Sequence, residues 1–136
     1  MANILDFTDM RNLDDEIKPI DLLHKLAEQG NAEAQENLAF RYSVGSSVPR
    51  SEEQAVYWYR KAAKQGNLEA QFNLANSYAD DKDGNTALYW FEKALENIEK
   101  MSEIEYENLP EDIKLSKEIA DDLKSEGYSA SLAKLD

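Results

Sequence analysis

Apolar residues recur at helical spacing through the middle of the chain, in four short stripes. The stripes are Ala34, Leu38 and Tyr42; Ala55, Trp58 and Ala62; Ala70, Leu74 and Tyr78; and Ala87, Trp90 and Ala94. The spacing of three or four residues places the apolar side chains of each stripe on one face of a helix. Consecutive amphipathic helices bury such faces against each other, so the pattern predicts two helical hairpins in succession.

The two hairpins are copies of one another. A shift of 36 residues superposes Gly30 on Gly66, followed in one register by identical Asn, Glu, Ala, Gln, Leu and Tyr residues. Trp58 returns as Trp90 at a spacing of 32, because the connection inside the second hairpin is four residues shorter. The match already begins at residue 25, so a half unit, predicted to be one helix, precedes the first complete repeat.

Glycine and small polar residues mark the predicted turns. Gly30 and Gly66 stand where one helix has to end, and Asn31 and Asn67 follow as predicted caps of the next helix. Ser51, with two glutamates after it, is a predicted N-cap. The predicted loops inside the hairpins are residues 43–49 and 80–85.

The two ends of the chain leave the repeat pattern. After Pro110, which suits the first turn of a helix, Leu115, Ile119 and Leu123 predict a C-terminal capping helix that ends at Gly127. Beyond it, we expect Tyr128, Leu132 and Leu135 to dock as one more turn or to fray. Apolar residues in the acidic segment 1–18 predict a leader lying across the first hairpin, because terminal repeats otherwise expose apolar faces.

The repeated residues resemble the Sel1-like repeat, a relative of the tetratricopeptide repeat. The family pattern is nearly complete from Ala34 to Gly66, with Ala39 and Ala75 where the family usually has Gly. The resemblance divides the chain into a leader (1–18), a repeat array (19–97, with a half repeat at 19–30 and repeats at 31–66 and 67–97) and C-terminal capping helices with a tail (98–136). It implies an all-α fold, a right-handed superhelix of αα-hairpins in which capping helices flank two Sel1-like repeats.

The resemblance also implies the class of function. Members of the family act through protein–protein contact, as adaptors, secretion-linked factors and immunity proteins, so it implies a non-enzymatic protein without a cofactor. In such repeats the first helix of each hairpin lines the concave surface. Positions of that helix that face the groove, by register with the Leu and Tyr of the apolar stripe, are therefore the candidate partner-binding residues.

The candidate partner-binding residues combine acids with aromatics. They are Glu33, Glu36, Phe40 and Val44 in the first repeat, and Glu69, Phe72, Asn76 and Asp80 in the second. The repeat demands neither Phe, since Phe40 aligns with Asn76 and Phe72 aligns with Glu36. Exposed aromatics ringed by carboxylates predict a site for a basic, partly apolar segment. The alternative is that either Phe packs under a loop or against the neighbouring repeat.

The charge of the chain favours the same kind of partner. Its 136 residues include 28 acidic and 15 basic side chains, a net charge of −13, and 17 of the acids follow residue 66. Such a field repels nucleic acid and anionic lipid and steers a cationic protein toward the molecule. A solvated, solubilising surface is the alternative interpretation.

Composition argues against catalysis and metal binding. The chain has no Cys and a single histidine, His24, so thiolate metal sites and Ser-His-Asp triads lack their residues and His24 is predicted to pack or lie at the surface. An acidic turn before Gly84 has the wrong ligand spacing for a calcium loop. We expect no catalytic residue, no metal and no cofactor.

Three functions stay open at this stage. The first is a protein-interaction module for a basic or partly apolar partner. The second is an immunity protein that neutralises a basic toxin, and the third is a self-assembling structural repeat. Asp6 and Asp9 interrupt the apolar N-terminal residues, which is unlike a signal peptide, so we expect a cytoplasmic protein, without a membrane span and monomeric.

Overall fold

The computed structural model describes residues 18–131, and the ordered elements in this range are helices without any strand. The helices are α1 (Pro19–Glu28), α2 (Ala32–Val44), α3 (Glu52–Lys64), α4 (Leu68–Asp80), α5 (Gly84–Glu99), α6 (Glu103–Glu107), α7 (Glu111–Lys114) and α8 (Ser116–Ser125). The predicted leader lies almost entirely outside the described residues. Each helix from α2 to α5 packs on the one before it, so α2 with α3 and α4 with α5 form two stacked hairpins.

The predicted caps form at the starts of the hairpin helices. The side-chain oxygens of Asn31 and Asn67 accept hydrogen bonds from the third residue beyond, each at 2.8 Å. Gly30 and Gly66 precede them with φ of 97° and 95°, a conformation that favours glycine. Ser51 caps α3 in the same way, through the backbone N–H of Gln54. These side chains fix where each helix begins.

The core between the hairpins is built on small residues. Ala39, Ala62, Ala75 and Ala94 are fully buried, which lets the helix backbones approach closely. Leu38 and Leu74 fill the centre of the two repeats and are also fully buried. The two Trp side chains are almost completely buried as well. The apolar stripes of the sequence therefore form one continuous core.

Buried amides join each hairpin to the one before it. Gln71 donates from Nε2 to the carbonyl of Ala63 at 3.2 Å and accepts at Oε1 from the Nδ2 of Asn97 at 2.7 Å. Asn97 also donates to the carbonyl of Gly66. The first repeat makes the same set of bonds one hairpin earlier, with Gln35 in the place of Gln71 and Gln65 in the place of Asn97. These bonds satisfy the carbonyls at the end of the preceding helix, where no further helical N–H is available.

The repeated Tyr of each first helix ties it to the preceding second helix. The Tyr42 hydroxyl lies 3.2 Å from Nε2 of His24, and the Tyr78 hydroxyl accepts from Arg60 at 2.8 Å. His24 also packs edge-on against Trp58. It therefore has the packing role that its sequence context predicts.

The C-terminal helices cover the exposed side of α5. Residues Ile113, Ser116 and Ala120 are buried, and Lys124 of α8 forms an ion pair with Glu92 of α5 at 3.1 Å. The predicted stripe was wrong at Leu115, which is exposed. Pro110 begins the separate short helix α7, and this turn places Ile113 in the core instead.

The second loop is shorter than predicted, because Gly84 is the first residue of α5. The ring of Tyr128 lies directly over Gly84, where a Cβ would come within 2.5 Å of the ring carbons. Backbone N–H groups of Ser129 and Ser131 donate to the side chain and the carbonyl of Asn85. Tyr128 thus docks the segment that follows α8, while Leu132 and Leu135 lie outside the described residues.

We expect Gly84→Ala to lower the free energy of unfolding by about 1–2 kcal/mol. The new methyl group would displace the Tyr128 ring, a cost of overpacking that exceeds the helix propensity gained with Ala. Urea denaturation of Gly84→Ala in the wild-type and Tyr128→Ala backgrounds tests this prediction. Without the ring the substitution should become neutral or stabilising, and equal destabilisation in both backgrounds would contradict the assignment.

The architecture confirms the all-α solenoid of two helical-hairpin repeats with a capping helix at each side of the array. The half repeat α1 covers α2 at one side, and α8 covers α5 at the other.

Candidate functional site

The candidate residues of the first repeat share one side of α2. Glu33, Glu36, Phe40 and Val44 recur at spacings of three or four residues. Phe40 is 50% exposed and Val44 is 54% exposed, a large apolar area for a helix whose other side is buried. We call the surface formed by this side of α2 and the adjacent side of α4 the first-helix face.

On the first-helix face, the carboxylates of Glu33 and Glu69 lie close enough to Glu36 to repel its charge. Burial raises the pKa of Glu36 to about 7, and the neighbouring charges of Glu69 and Glu33 add to the increase. Glu69 belongs to α4, so the cluster bridges the two repeats. The structure therefore brings together three of the acids that the sequence predicts for the site.

Tyr59 and Glu52, both on α3, also belong to this cluster, and sequence reasoning missed them. Burial raises the pKa of Tyr59 to about 12; a hydrogen bond with Ser43 acts in the opposite direction, and the charges of Glu36, Glu52 and Glu69 raise it further. Glu52 accepts a hydrogen bond from the Ser77 hydroxyl of α4 at 3.1 Å. The surroundings of Glu36 are thus polar on the α3 side as well.

The prediction that Phe72 is an exposed anchor was wrong. Phe72 is only 4% exposed, and its ring packs edge-on against Phe91 of α5 at 5.9 Å between centroids. The two repeats differ here, because the aligned pair in the first repeat is Glu36 and Tyr59. The apolar pair Phe72 and Phe91 packs together in the second repeat, whereas the polar pair Glu36 and Tyr59 lies at the same place in the first.

The remaining candidates of the second repeat lie farther along α4. Asn76 is half-buried and Asp80, the last residue of the helix, is exposed. The aromatic part of the site is therefore Phe40 alone, with Val44 one turn beyond it. A partner segment on this face would meet carboxylates beside Phe40 and an apolar patch from Phe40 to Val44.

The described part of the chain offers no other chemistry at this face. Among residues 18–131, no three His, Asp or Glu side chains form a group that could hold a metal ion. Across the same residues, none of the helices has the length and the apolar character needed to cross a membrane.

Comparisons with known proteins agree with this architecture. The Sel1 repeat family matches residues 32–67 and 68–97. Among solved structures, the chain is similar to a Sel1 repeat protein from Oxalobacter formigenes, with 34% sequence identity and a TM-score of 0.55. The similarity covers 57% of this chain and 33% of that protein, so the chain matches about a third of its neighbour's length. No curated protein matches the chain.

Proposed function

Because this chain is a Sel1 repeat protein, and Sel1 repeats generally mediate protein–protein interaction, we propose that it binds a basic segment of a partner protein on its first-helix face. The observation that carries the proposal is Phe40, half exposed beside the cluster of Glu33, Glu36 and Glu69. Aromatic side chains that become buried at an interface supply much of its affinity, and complementary charge supplies rate and specificity.

The charge cluster supports a cationic partner in particular. Ionisation of Glu36 costs free energy, first because its carboxyl group is partly buried and then because two other carboxylates repel its charge, and an incoming Lys or Arg would relieve that repulsion. An acidic or neutral partner would leave the repulsion in place. The Sel1 repeat is typically a non-enzymatic interaction scaffold, and in this proposal the protein acts by binding, without a catalytic residue or cofactor.

Two alternatives to a general interaction module are an immunity protein and a self-assembling repeat. A short acidic protein that covers the active site of a basic toxin would be an immunity protein, acting in the cytoplasm. A self-assembling repeat would instead use the ends of the array, and then the protein would not be monomeric. The proposed partner-binding residues are Glu33, Glu36, Phe40, Glu69, Asn76 and Asp80, with Val44 beside Phe40.

Capture of partner proteins from cells of the source organism tests the proposal. We expect a basic protein bound by the wild type to bind Phe40→Asp at least about tenfold more weakly, because the substitution removes the aromatic anchor. The added carboxylate attracts a basic partner and offsets only part of that loss. Tyr106→Asp is the matched control, since Tyr106 is 40% exposed on a different helix, α6. Circular dichroism confirms that both variants are folded.

The outcomes separate the alternatives. Equal binding by wild type and Phe40→Asp would contradict the proposed site, whereas a nuclease or other toxin among the captured proteins would favour the immunity function. Light scattering of the protein alone reports self-assembly, because a mass that rises with concentration would favour the structural role.

A further inference from the structure

A groove lies between α3 and α5, the second helices of the two repeats, on a surface separate from the carboxylate cluster. Its volume is about 400 Å³. It is lined by Lys64 of α3, by Tyr89, Trp90, Lys93 and Glu96 of α5, by Lys100 just after α5, and by the amides of Gln71 and Asn97. The groove therefore combines aromatic walls with three ammonium groups.

The charges of this groove are poorly balanced. Lys93 lies 3.8 Å from Glu96 and 5.5 Å from the centre of the Tyr89 ring. Neither Lys64 nor Lys100 has an ion pair with any residue in the range 18–131, and both are exposed. In a chain with 28 acids and 15 bases, a cluster of lysines with one nearby acid is a marked local reversal of charge.

The same groove occurs one hairpin earlier. Between α1 and α3 lies a groove of about 240 Å³, lined by Tyr57, Trp58, Lys61 and Gln35, which align with Tyr89, Trp90, Lys93 and Gln71. Glu28 also lines it, at the position that aligns with Lys64. The Nζ of Lys61 lies 5.1 Å from the centre of the Tyr57 ring. Each repeat thus presents a lysine held over a tyrosine beside a buried tryptophan.

A third groove connects these two. It has a volume of about 310 Å³ and is lined by Tyr57, Arg60, Lys61 and Lys64. Of these, Tyr57 and Lys61 also line the groove between α1 and α3. Lys64 also lines the groove between α3 and α5, so the three grooves form one elongated surface. We call this surface the lysine track. Its cations are Arg60, Lys61, Lys64, Lys93 and Lys100, its aromatic walls are Tyr57 and Tyr89, and the two acids that line it are Glu28 and Glu96.

The shape and charge of the lysine track identify its ligand. An elongated surface over three helices fits an extended chain better than a single small anion. Carboxylates spaced along such a chain would pair with the lysines, while intervening apolar side chains would contact the tyrosines. A nucleic acid carries a far denser negative charge, one per about 1.7 Å of duplex, and the net charge of −13 on the whole molecule repels it much more strongly.

We infer that the lysine track binds an extended acidic segment of a second partner protein, rich in Asp and Glu with interspersed apolar residues. The molecule then has two interaction surfaces of opposite charge, and it can bridge a basic partner and an acidic one. This second surface does not depend on the first-helix face, so the two can be tested separately.

The inference is tested at low salt by fluorescence anisotropy. The probe is a labelled peptide that consists of Asp and Glu residues with two Leu residues placed between them. We expect saturable binding that weakens at least about tenfold when the ionic strength rises to several hundred millimolar. The variant Lys64→Gln/Lys93→Gln/Lys100→Gln should bind at least about tenfold more weakly than the wild type. The control Lys18→Gln/Lys82→Gln/Lys117→Gln makes the same change in charge outside the track and should bind nearly as well as the wild type.

The two tryptophans provide a second measurement, independent of affinity. Since Trp58 and Trp90 are the only tryptophans of the chain and each lines one groove, their indole N–H resonances report on the two ends of the track. Both resonances should shift on titration with the acidic peptide, and Phe40→Asp should leave these shifts unchanged.

Several outcomes would overturn the inference. They are equal binding of a peptide with Asn and Gln in place of the acids, equal weakening in both triple variants, absence of indole shifts, or tighter binding of a single-stranded oligonucleotide than of the peptide. Loss of binding in the track variant alone, with indole shifts in the wild type, would support it.

Discussion

Glu36→Gln is expected to raise the free energy of unfolding by about 1–3 kcal/mol near pH 8. The folded protein raises the pKa of Glu36 from its ordinary value of 4.5 to about 7, mainly through burial and then through Glu69 and Glu33. Above pH 7 Glu36 is therefore ionised in the folded state, although its carboxyl group ionises more easily in the unfolded chain. Each unit of difference between the two pKa values lowers the stability by about 1.4 kcal/mol. Glutamine keeps the size of the side chain and removes that cost.

The same reasoning fixes the pH dependence. The pKa of Glu36 is higher in the folded state than in the unfolded state, so as the pH falls the folded protein takes up this proton before the unfolded chain does. The destabilisation caused by the ionised carboxylate therefore disappears as the pH falls from above 7 toward 4.5. Urea denaturation of wild type and Glu36→Gln should give a large difference near pH 8 and little difference near pH 4.5. Glu107→Gln, an exposed position on α6, is the control and should differ from wild type by less than about 0.5 kcal/mol at each pH.

Equal stability of Glu36→Gln and wild type near pH 8 would contradict the raised pKa. The prediction also bears on function, because a bound cation favours the ionised form of Glu36. A carboxylate whose ionisation destabilises the free protein is retained at a cost in stability, and such costs are common at binding sites.

Leu74→Ala is expected to lower the free energy of unfolding by about 3 kcal/mol. Leu74 is fully buried on α4, which packs against both α3 and α5, so little of the surrounding structure is free to collapse into the cavity. The measurement is urea denaturation with linear extrapolation.

Leu26→Ala provides the matched comparison for this cavity. Leu26 is 39% exposed on α1, and removal of the same atoms there should cost less than about 1 kcal/mol. Similar losses at the two positions would show that α4 is not the centre of the array.

The helices and their turns could be predicted from the sequence because the determinants are local or repeated. Asn31 caps the helix that follows it, and Gly30 adopts the conformation that its position requires. Leu38 and Leu74 recur at the same place in each copy, so both could be assigned to the core. The Gln at positions 35 and 71 was visible as part of the repeat, but its role depends on carbonyls of a neighbouring helix that no local pattern identifies.

The candidate site was harder to predict because the two copies diverge there. Phe40 and Phe72 look alike in sequence, since both replace a polar residue of the other copy. Whether such a residue is buried depends on its partner across the hairpin, and Phe72 meets Phe91 whereas Glu36 meets Tyr59. Alignment of the second helices would have shown this difference, because position 59 is a polar aromatic where position 91 is Phe.

The buried amides between hairpins bear on how such a protein can change in length during evolution. Each complete repeat supplies an amide pair for the carbonyls that end the preceding helix, and the first repeat presents equivalent carbonyls to the second. A tandem duplication of the segment from Asn31 to Gly66 would therefore insert a unit whose side-chain amides and helix-end carbonyls can form the same bonds at both junctions. Gene duplication could lengthen the array one hairpin at a time, and each added copy would extend the binding surfaces in proportion.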